Sequence, residues 1–131
     1  MGKIIYEFRI LGKYPSLNEY IEKCREFPKA GNNMKQKFQN MIVYDILEQS
    51  NRLRLNRPIW IDYTFYEANK RRDKDNVAGF FHKVFQDALV TAKVIPNDNW
   101  LYVEGFSDHF KIDSKNPRIE VKIEEVEDGR A

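Results

Sequence analysis

The feature that most constrains the fold is a helical rhythm of apolar residues between positions 77 and 89. The residues of this stripe are Val77, Phe80, Phe81, Val84, Phe85, Ala88 and Leu89. Intervals of three and four residues place them along one face of a helix, predicted over about residues 76–92. Just before it, residues 59–67 ("IWIDYTFYE") are rich in aromatic and β-branched residues, which favour a strand. These two patterns together predict a strand followed by a helix with one strongly apolar face.

The remaining segments supply further strands and helices. The predicted strands are 3–11, 101–111 and 117–126, and the predicted helices are 17–27 and 33–49. Together they predict one small mixed α/β (α+β) domain over residues 1–131, with a roughly four-stranded mixed sheet packed with helices. We expect about the last five residues, 127–131, to be frayed.

Composition is that of an ordinary globular chain. Hydrophobic residues make up 42% of the sequence and aromatic residues 14%, enough for a real core. The single cysteine, Cys24, excludes an internal disulfide and fits a reducing compartment. No apolar run approaches the roughly 18 residues that a membrane span needs. We therefore expect a soluble cytoplasmic protein with no membrane partner and no organic cofactor.

Charge is distributed unevenly along the chain. Residues 51–83 carry eight Lys and Arg against four Asp and Glu, whereas residues 84–131 carry six against ten. A basic zone is the electrostatic footprint of a surface that binds nucleic acid, although solvated lysines explain most single clusters. The middle of the chain is thus the candidate surface for an anionic partner.

Two aspartates in this zone, Asp73 and Asp75, stand where the predicted helix begins. On a purely structural interpretation Asp75 is the helix N-cap and Asp73 a solvated loop residue. On the functional interpretation the two carboxylates, with Asp98 as a third, hold Mg²⁺, which prefers oxygen ligands. Such a cation polarises a phosphate oxygen and activates water, and the adjacent Lys70, Arg71 and Arg72 would hold the substrate's phosphates.

Helix geometry bears on two further side chains. At about 100° per residue, Lys83 lies about 80° from Asp75, so it can face the same groove; most helix lysines are simply solvated. We expect His82 at the surface on this polar side, without the ligands of a zinc site. His109, in a predicted strand, has no assigned role.

These segments resemble the RusA family of Holliday junction resolvases. The resemblance rests on "RRDKDN" (71–76), on a lysine-bearing helix that reaches "DAL" (87–89), and on "VIPNDNW" (94–100). "PSLNEY" (15–20) is similar to the family's amino-terminal Pro-Ser-x-Asn-x-x-Tyr-type segment in a tighter spacing. Residues 71–100 are its most specific part.

The resemblance implies catalytic roles position by position. Asp73 and Asp75 correspond to the family's paired metal-binding aspartates, Asp98 to its third essential aspartate, and Lys83 to its helix lysine. Here the lysine follows the second aspartate by eight residues, whereas in shorter members it follows by four. The extra helical turn adds about 5.4 Å of rise. Asn97 stands where some members carry a further acid.

The resemblance also implies partners and a cofactor. Such proteins are homodimers that bind four-way DNA junctions and nick two opposed strands with Mg²⁺ or Mn²⁺, and phages or prophages often encode them. The residues we predict to contact DNA are Lys70, Arg71, Arg72, Asn76, Arg52, Arg54, Arg57, Lys35 and Lys37. The leading hypothesis is a metal-dependent resolvase for recombination and repair.

Two alternatives remain at this point. One is a catalytically silent, or less specific, branched-DNA-binding protein of the same fold. Three unneutralised acids in a basic groove count against it, because they would repel phosphate. The other is a structural interaction domain, which is favoured only if the three aspartates are a helix cap and two loop residues.

Overall fold

The computed structural model describes residues 4–126 as four strands and three helices. In chain order these are β1 (Ile5–Leu11), α1 (Leu17–Glu26), α2 (Ala30–Ser50), β2 (Ile59–Glu67), α3 (Lys74–Thr91), β3 (Val103–Ile112) and β4 (Arg118–Glu125). The predicted small single domain with a four-stranded mixed sheet is confirmed. The predicted frayed tail, 127–131, lies outside the described residues. Within residues 4–126 no helix has the length and apolar character needed to cross a membrane.

Helix α2 begins earlier than its sequence pattern suggests. The stretch "AGNN" reads as a break, yet Ala30 and Gly31 already belong to the first turn and are buried. Gly31 packs directly against α1, and a Cβ at this position would collide with the Sγ of Cys24. This glycine is therefore a close-packing residue rather than a helix breaker, and the predicted start at residue 33 is wrong by three residues.

The sheet places the two ends of α3 far apart. Its strand order is β1-β4-β2-β3, with β2 and β3 parallel and the other pairs antiparallel. Parallel neighbours need a crossover connection, and α3 supplies it. The helix therefore begins at the end of β2, and the loop that follows it leads to the start of β3 at the opposite end of the sheet.

The core lies between α3 and the inner face of the sheet. All seven residues of the predicted apolar stripe are buried, so that prediction is confirmed. Alternate residues of β2 meet them: the Phe81 ring contacts Tyr63 and Phe65 edge-on, with centroids 6.0 and 5.8 Å apart. This packing fixes the position of α3 and, with it, the carboxylates at its first turn.

Candidate active site

Asp73 and Asp75 are exposed carboxylates at the start of α3. The helix begins at Lys74, so its N-cap is Asp73 and Asp75 lies in its first turn. The structural interpretation, with Asp75 as the cap, is therefore wrong. The Asp73 side chain makes no capping hydrogen bond, and neither carboxylate has a hydrogen bond or ion pair with any described residue. The partial positive charge of the helix N-terminus favours both negative charges.

Arg72 clamps the loop that carries these carboxylates. Its Nε and Nη2 each donate to one oxygen of Glu67, both at 2.9 Å, and its Nη1 donates to the Tyr14 carbonyl at 2.8 Å. The side chain is only 14% exposed. Arg72, predicted as a phosphate contact, thus joins the end of β2 to the loop before α1 and has most of its donors engaged.

A second tie holds the start of α1 against the start of α3. The Asn76 Oδ1 accepts a hydrogen bond from the Asn18 backbone N–H at 2.8 Å. Ser16 and Glu19 form a reciprocal capping box at the start of α1. The segment 15–20 and the segment 71–76 are therefore neighbours in space, and Asn76, predicted to contact DNA, uses its carbonyl oxygen to join them.

Free basic side chains border the carboxylates. Lys70 and Arg71 are exposed, and their side chains have no partner among residues 4–126. Lys70, Lys74 and Lys111 line a groove of about 510 Å³, and Asp73 lines it as well. Arg71 does not line the groove, but both of its sequence neighbours do. Lys111, which the sequence analysis did not single out, comes from β3 and reaches the groove through the parallel β2–β3 pairing. The arrangement can bind an anionic chain next to two free carboxylates.

Asp98 lies at the other end of α3. It contacts Asp87, which follows Asp75 by twelve residues, or about 18 Å along the helix axis. Among the described residues no three His, Cys, Asp or Glu side chains lie close enough together to hold a metal ion. Within one chain, Asp73 and Asp75 therefore both lie at the start of α3, whereas Asp98 lies beyond its other end.

The surroundings of Asp98 contain a residue that sequence reasoning missed. Asp87 forms an ion pair with Lys35, in which the Lys35 Nζ lies 2.7 Å from the Asp87 Oδ2. Desolvation and, next, the Asp87 carboxyl raise the pKa of Asp98, while Lys35 acts in the opposite direction. Lys35, predicted to contact DNA, is engaged with this acidic pair. Asp87 belongs to the "DAL" motif, but the motif alone did not assign a role to this residue.

Lys83 belongs to the Asp98 half of the helix. It follows Asp75 by eight residues, about 12 Å along the axis, and precedes Asp87 by four, about 6 Å and 40°. Its side chain is exposed and has no partner among the described residues. Lys83 is therefore free to act, and it lies nearer Asp87 than Asp75.

His82 does not lie on the polar surface, so that expectation is wrong. Its side chain is 19% exposed, and its Nε2 lies 2.7 Å from the Asp108 Oδ1 of β3. Its ring packs against Phe106 and Tyr63. Position 82 borders the apolar stripe on the side of β3, where Asp108 satisfies its ring nitrogen. His109 lies on the opposite face of the sheet, 3.3 Å from Asp62.

The basic connector 51–58 lies at the Asp98 end of the molecule. The Leu55 N–H bonds the Val94 carbonyl, and the Arg54 guanidinium donates to the carbonyls of Leu53 and Ala92. Arg57 reaches Glu125 at 3.9 Å. Arg52 and Lys37 are exposed, with Lys37 over the Phe38 ring. Each end of α3 thus combines carboxylates with basic side chains.

Comparison with known proteins identifies the family of the chain. The family model described as endodeoxyribonuclease RusA matches residues 15–124 of the 131-residue chain. The matched range contains all four predicted catalytic residues, Asp73, Asp75, Lys83 and Asp98. None of the curated proteins matches the chain. The chain therefore belongs to the RusA family of endodeoxyribonucleases, whose members as a class resolve Holliday junctions.

Proposed function

We propose that this protein is a Mg²⁺-dependent, structure-selective endodeoxyribonuclease that resolves four-way DNA junctions by paired nicks in opposed strands. The observation that carries the proposal is the pair of free carboxylates, Asp73 and Asp75, at a helix N-terminus beside a basic groove. Structural aspartates at such a position normally make the capping bond, and these do not.

The donor set fits a hard divalent cation. Asp73 and Asp75 offer carboxylate oxygens that no described protein group occupies. Mg²⁺ keeps several waters and needs only one or two protein carboxylates, and Mn²⁺ accepts the same ligands. When bound, the ion would supply Lewis acidity toward a phosphate oxygen and lower the pKa of a coordinated water. The Arg72 clamp to Glu67 fixes the position of the loop that presents both carboxylates.

A homodimer would reconcile the position of Asp98 with a shared site. Asp98 and Lys83 lie toward the end of α3 away from Asp73 and Asp75, and α3 holds the two ends apart. Two copies packed about a two-fold axis could bring Asp98 of one chain to Asp75 of the other. An isologous pair would also match the near two-fold symmetry of a four-way junction, which needs two nicks.

The phosphate contacts divide into free and engaged groups. Lys70, Arg71 and Lys74 are exposed beside the carboxylates and would hold the strand to be cut. Arg72 and Asn76 support the loop and would act through its position rather than by contact. Arg52 and Lys37 are exposed and available to a neighbouring arm of the junction, whereas Arg54 already donates to two backbone carbonyls and Arg57 already reaches Glu125.

The separation of the aspartates also favours a second candidate, a branched-DNA-binding protein without nuclease activity. A chain that never assembles a third carboxylate beside Asp73 and Asp75 could bind junctions and leave them intact. A titration with Ca²⁺, followed by the tryptophan emission or by calorimetry, separates the two. The nuclease should bind the cation through Asp73 and Asp75, whereas a silent binder need not.

Cleavage of a synthetic mobile four-way junction, with and without Mg²⁺, tests the proposal directly. Asp75→Asn removes one charge while keeping the shape, so cutting should collapse while junction binding persists or tightens. Glu22→Gln is the matched control, since Glu22 is an exposed carboxylate of α1 without a described partner. Asp75→Asn that cuts at the wild-type rate would show that the site is elsewhere.

A further inference from the structure

Trp100 is the most exposed large hydrophobic side chain among the described residues. It is 94% exposed, whereas tryptophan usually covers much of its surface with neighbouring groups. Leu101 and Phe106 next to it are also about half exposed, at 50% and 44%. Holding this much apolar surface in water is unfavourable, so a concentrated patch of this kind marks a binding site.

The loop that carries Trp100 is held by its own hydrogen bonds. Asn97 Oδ1 accepts from the Asn99 N–H, and Asn99 Oδ1 accepts from the Leu101 N–H, both at 3.0 Å. The Asn99 carbonyl also accepts from the N–H groups of Tyr102 and Val103. An indole on a fixed turn loses little conformational freedom when it binds, which suits a stacking platform.

The groove beneath Trp100 has the chemistry of a site for a flat, neutral, polar-edged ring. Its volume is about 700 Å³, and Phe106 and Leu101 line it together with the amides of Gln86 and Asn99. The Gln86 Oε1 and the Asn99 Nδ2 have no partner among residues 4–126, so one acceptor and one donor are free.

The charged residues of the groove determine which part of a nucleic acid can bind in it. Asp98 and Glu104 also line it, and their carboxylates would repel a phosphate. A nucleobase is uncharged, its amino groups can donate hydrogen bonds to carboxylates, and its ring stacks on aromatic side chains. Taking a base out of a duplex costs unpairing and unstacking energy, and this cost falls where either is already lost, as stacking is at the crossover of an open four-way junction.

We propose that Trp100 and the groove beneath it receive an unpaired nucleobase at the crossover of the junction, next to the strand to be cut. The inference rests on the proposed function for the identity of the substrate, but not on cleavage. The groove would then contribute to recognition of the branch point itself, because a fully paired duplex offers no such base.

The test uses 2-aminopurine at the positions flanking the crossover, with the Asp75→Asn protein so that the junction stays intact. We expect protein binding to quench the 2-aminopurine emission at one of these positions. Trp100→Ala in the same background should abolish the quenching at saturating protein and weaken junction binding roughly 5- to 150-fold. Trp100→Phe should retain most of the affinity, since a ring remains.

Tyr44→Ala is the matched control, because Tyr44 is 66% exposed on α2, and it should change neither signal. Trp100→Ala that binds and quenches like the wild type would overturn the proposal. A loss of affinity that accompanies a change from dimer to monomer in light scattering would also overturn it and assign the patch to the subunit interface. Quenching without cleavage by the wild type would leave this inference standing and refute the nuclease, whereas cleavage without quenching would do the reverse.

Discussion

Replacing Arg72 with alanine should destabilise the fold, whereas replacing Lys70 and Arg71 together should not. The three residues are adjacent in sequence and equal in charge, so only their surroundings distinguish them. Arg72 and its partner Glu67 are 14% and 17% exposed and share two hydrogen bonds of 2.9 Å, with a third bond to the Tyr14 carbonyl. Lys70 and Arg71 are exposed.

The expected loss follows from what Arg72→Ala leaves behind. Removing one partner of a buried ion pair costs about 3–5 kcal/mol, and hydrogen bonds to charged groups contribute about 1.5–3 kcal/mol. Because water still reaches part of the pair, we expect about 3 kcal/mol. With a urea m-value of about 2 kcal/mol/M, the unfolding midpoint should fall by about 1.5 M. The double variant should stay within about 0.5 kcal/mol of the wild type.

Urea unfolding followed by circular dichroism measures the stability, and junction binding at several salt concentrations measures the phosphate contacts. The double variant should lose about 1.8 from the slope of log K against log salt, about 0.9 for each cation. An Arg72→Ala protein that unfolds at the wild-type midpoint would refute the clamp. An unchanged salt slope in the double variant would move the DNA surface away from this loop.

Three further variants probe the core and the acidic end of α3. The pKa of Asp98 is higher in the folded than in the unfolded chain, so its ionised form destabilises the fold at neutral pH. Asp98→Asn should therefore raise the urea midpoint at pH 7. This advantage should disappear below about pH 4, where Asp98 is protonated in both the folded and the unfolded chain. Lys35→Ala removes a partly exposed ion pair with Asp87, so it should cost less than about 1 kcal/mol, and carboxyl-carbon NMR titration should show the pKa of Asp98 moving further up. Phe81→Ala, at a fully buried position, should lower the free energy of unfolding by about 3–5 kcal/mol, measured by urea titration.

The elements with strong periodicity could be predicted from the sequence. The strand 59–67 was predicted with both of its observed ends, and every residue of the stripe from Val77 to Leu89 is buried. Burial on one face forces a repeating pattern on the chain, which a single sequence displays directly. Element ends carry no such pattern: α3 was placed two residues late because Lys74 and Asp75 are polar and give no apolar signal.

Contacts between distant parts of the chain could not be predicted. Arg72 bonds a carbonyl 58 residues earlier, and His82 pairs with an aspartate 26 residues later. In neither pair are the two residues close in sequence, and each contact forms only when the helices and strands pack together. The parallel pairing of β2 with β3 has the same character, and it is what separates Asp98 from Asp75. The predicted site residues were identifiable by motif, while their positions relative to one another were not.

The most direct measurement is complementation between two inactive variants, Asp75→Asn and Asp98→Asn. Each alone should fail to cut a four-way junction in Mg²⁺. If each site takes Asp75 from one chain and Asp98 from the other, a mixed dimer carries one site with both aspartates intact. After random subunit exchange we then predict roughly a quarter of the wild-type nicking rate. A mixture that exchanges subunits, as shown by mass spectrometry, yet remains as inactive as its parents would contradict a site shared between two copies of the chain.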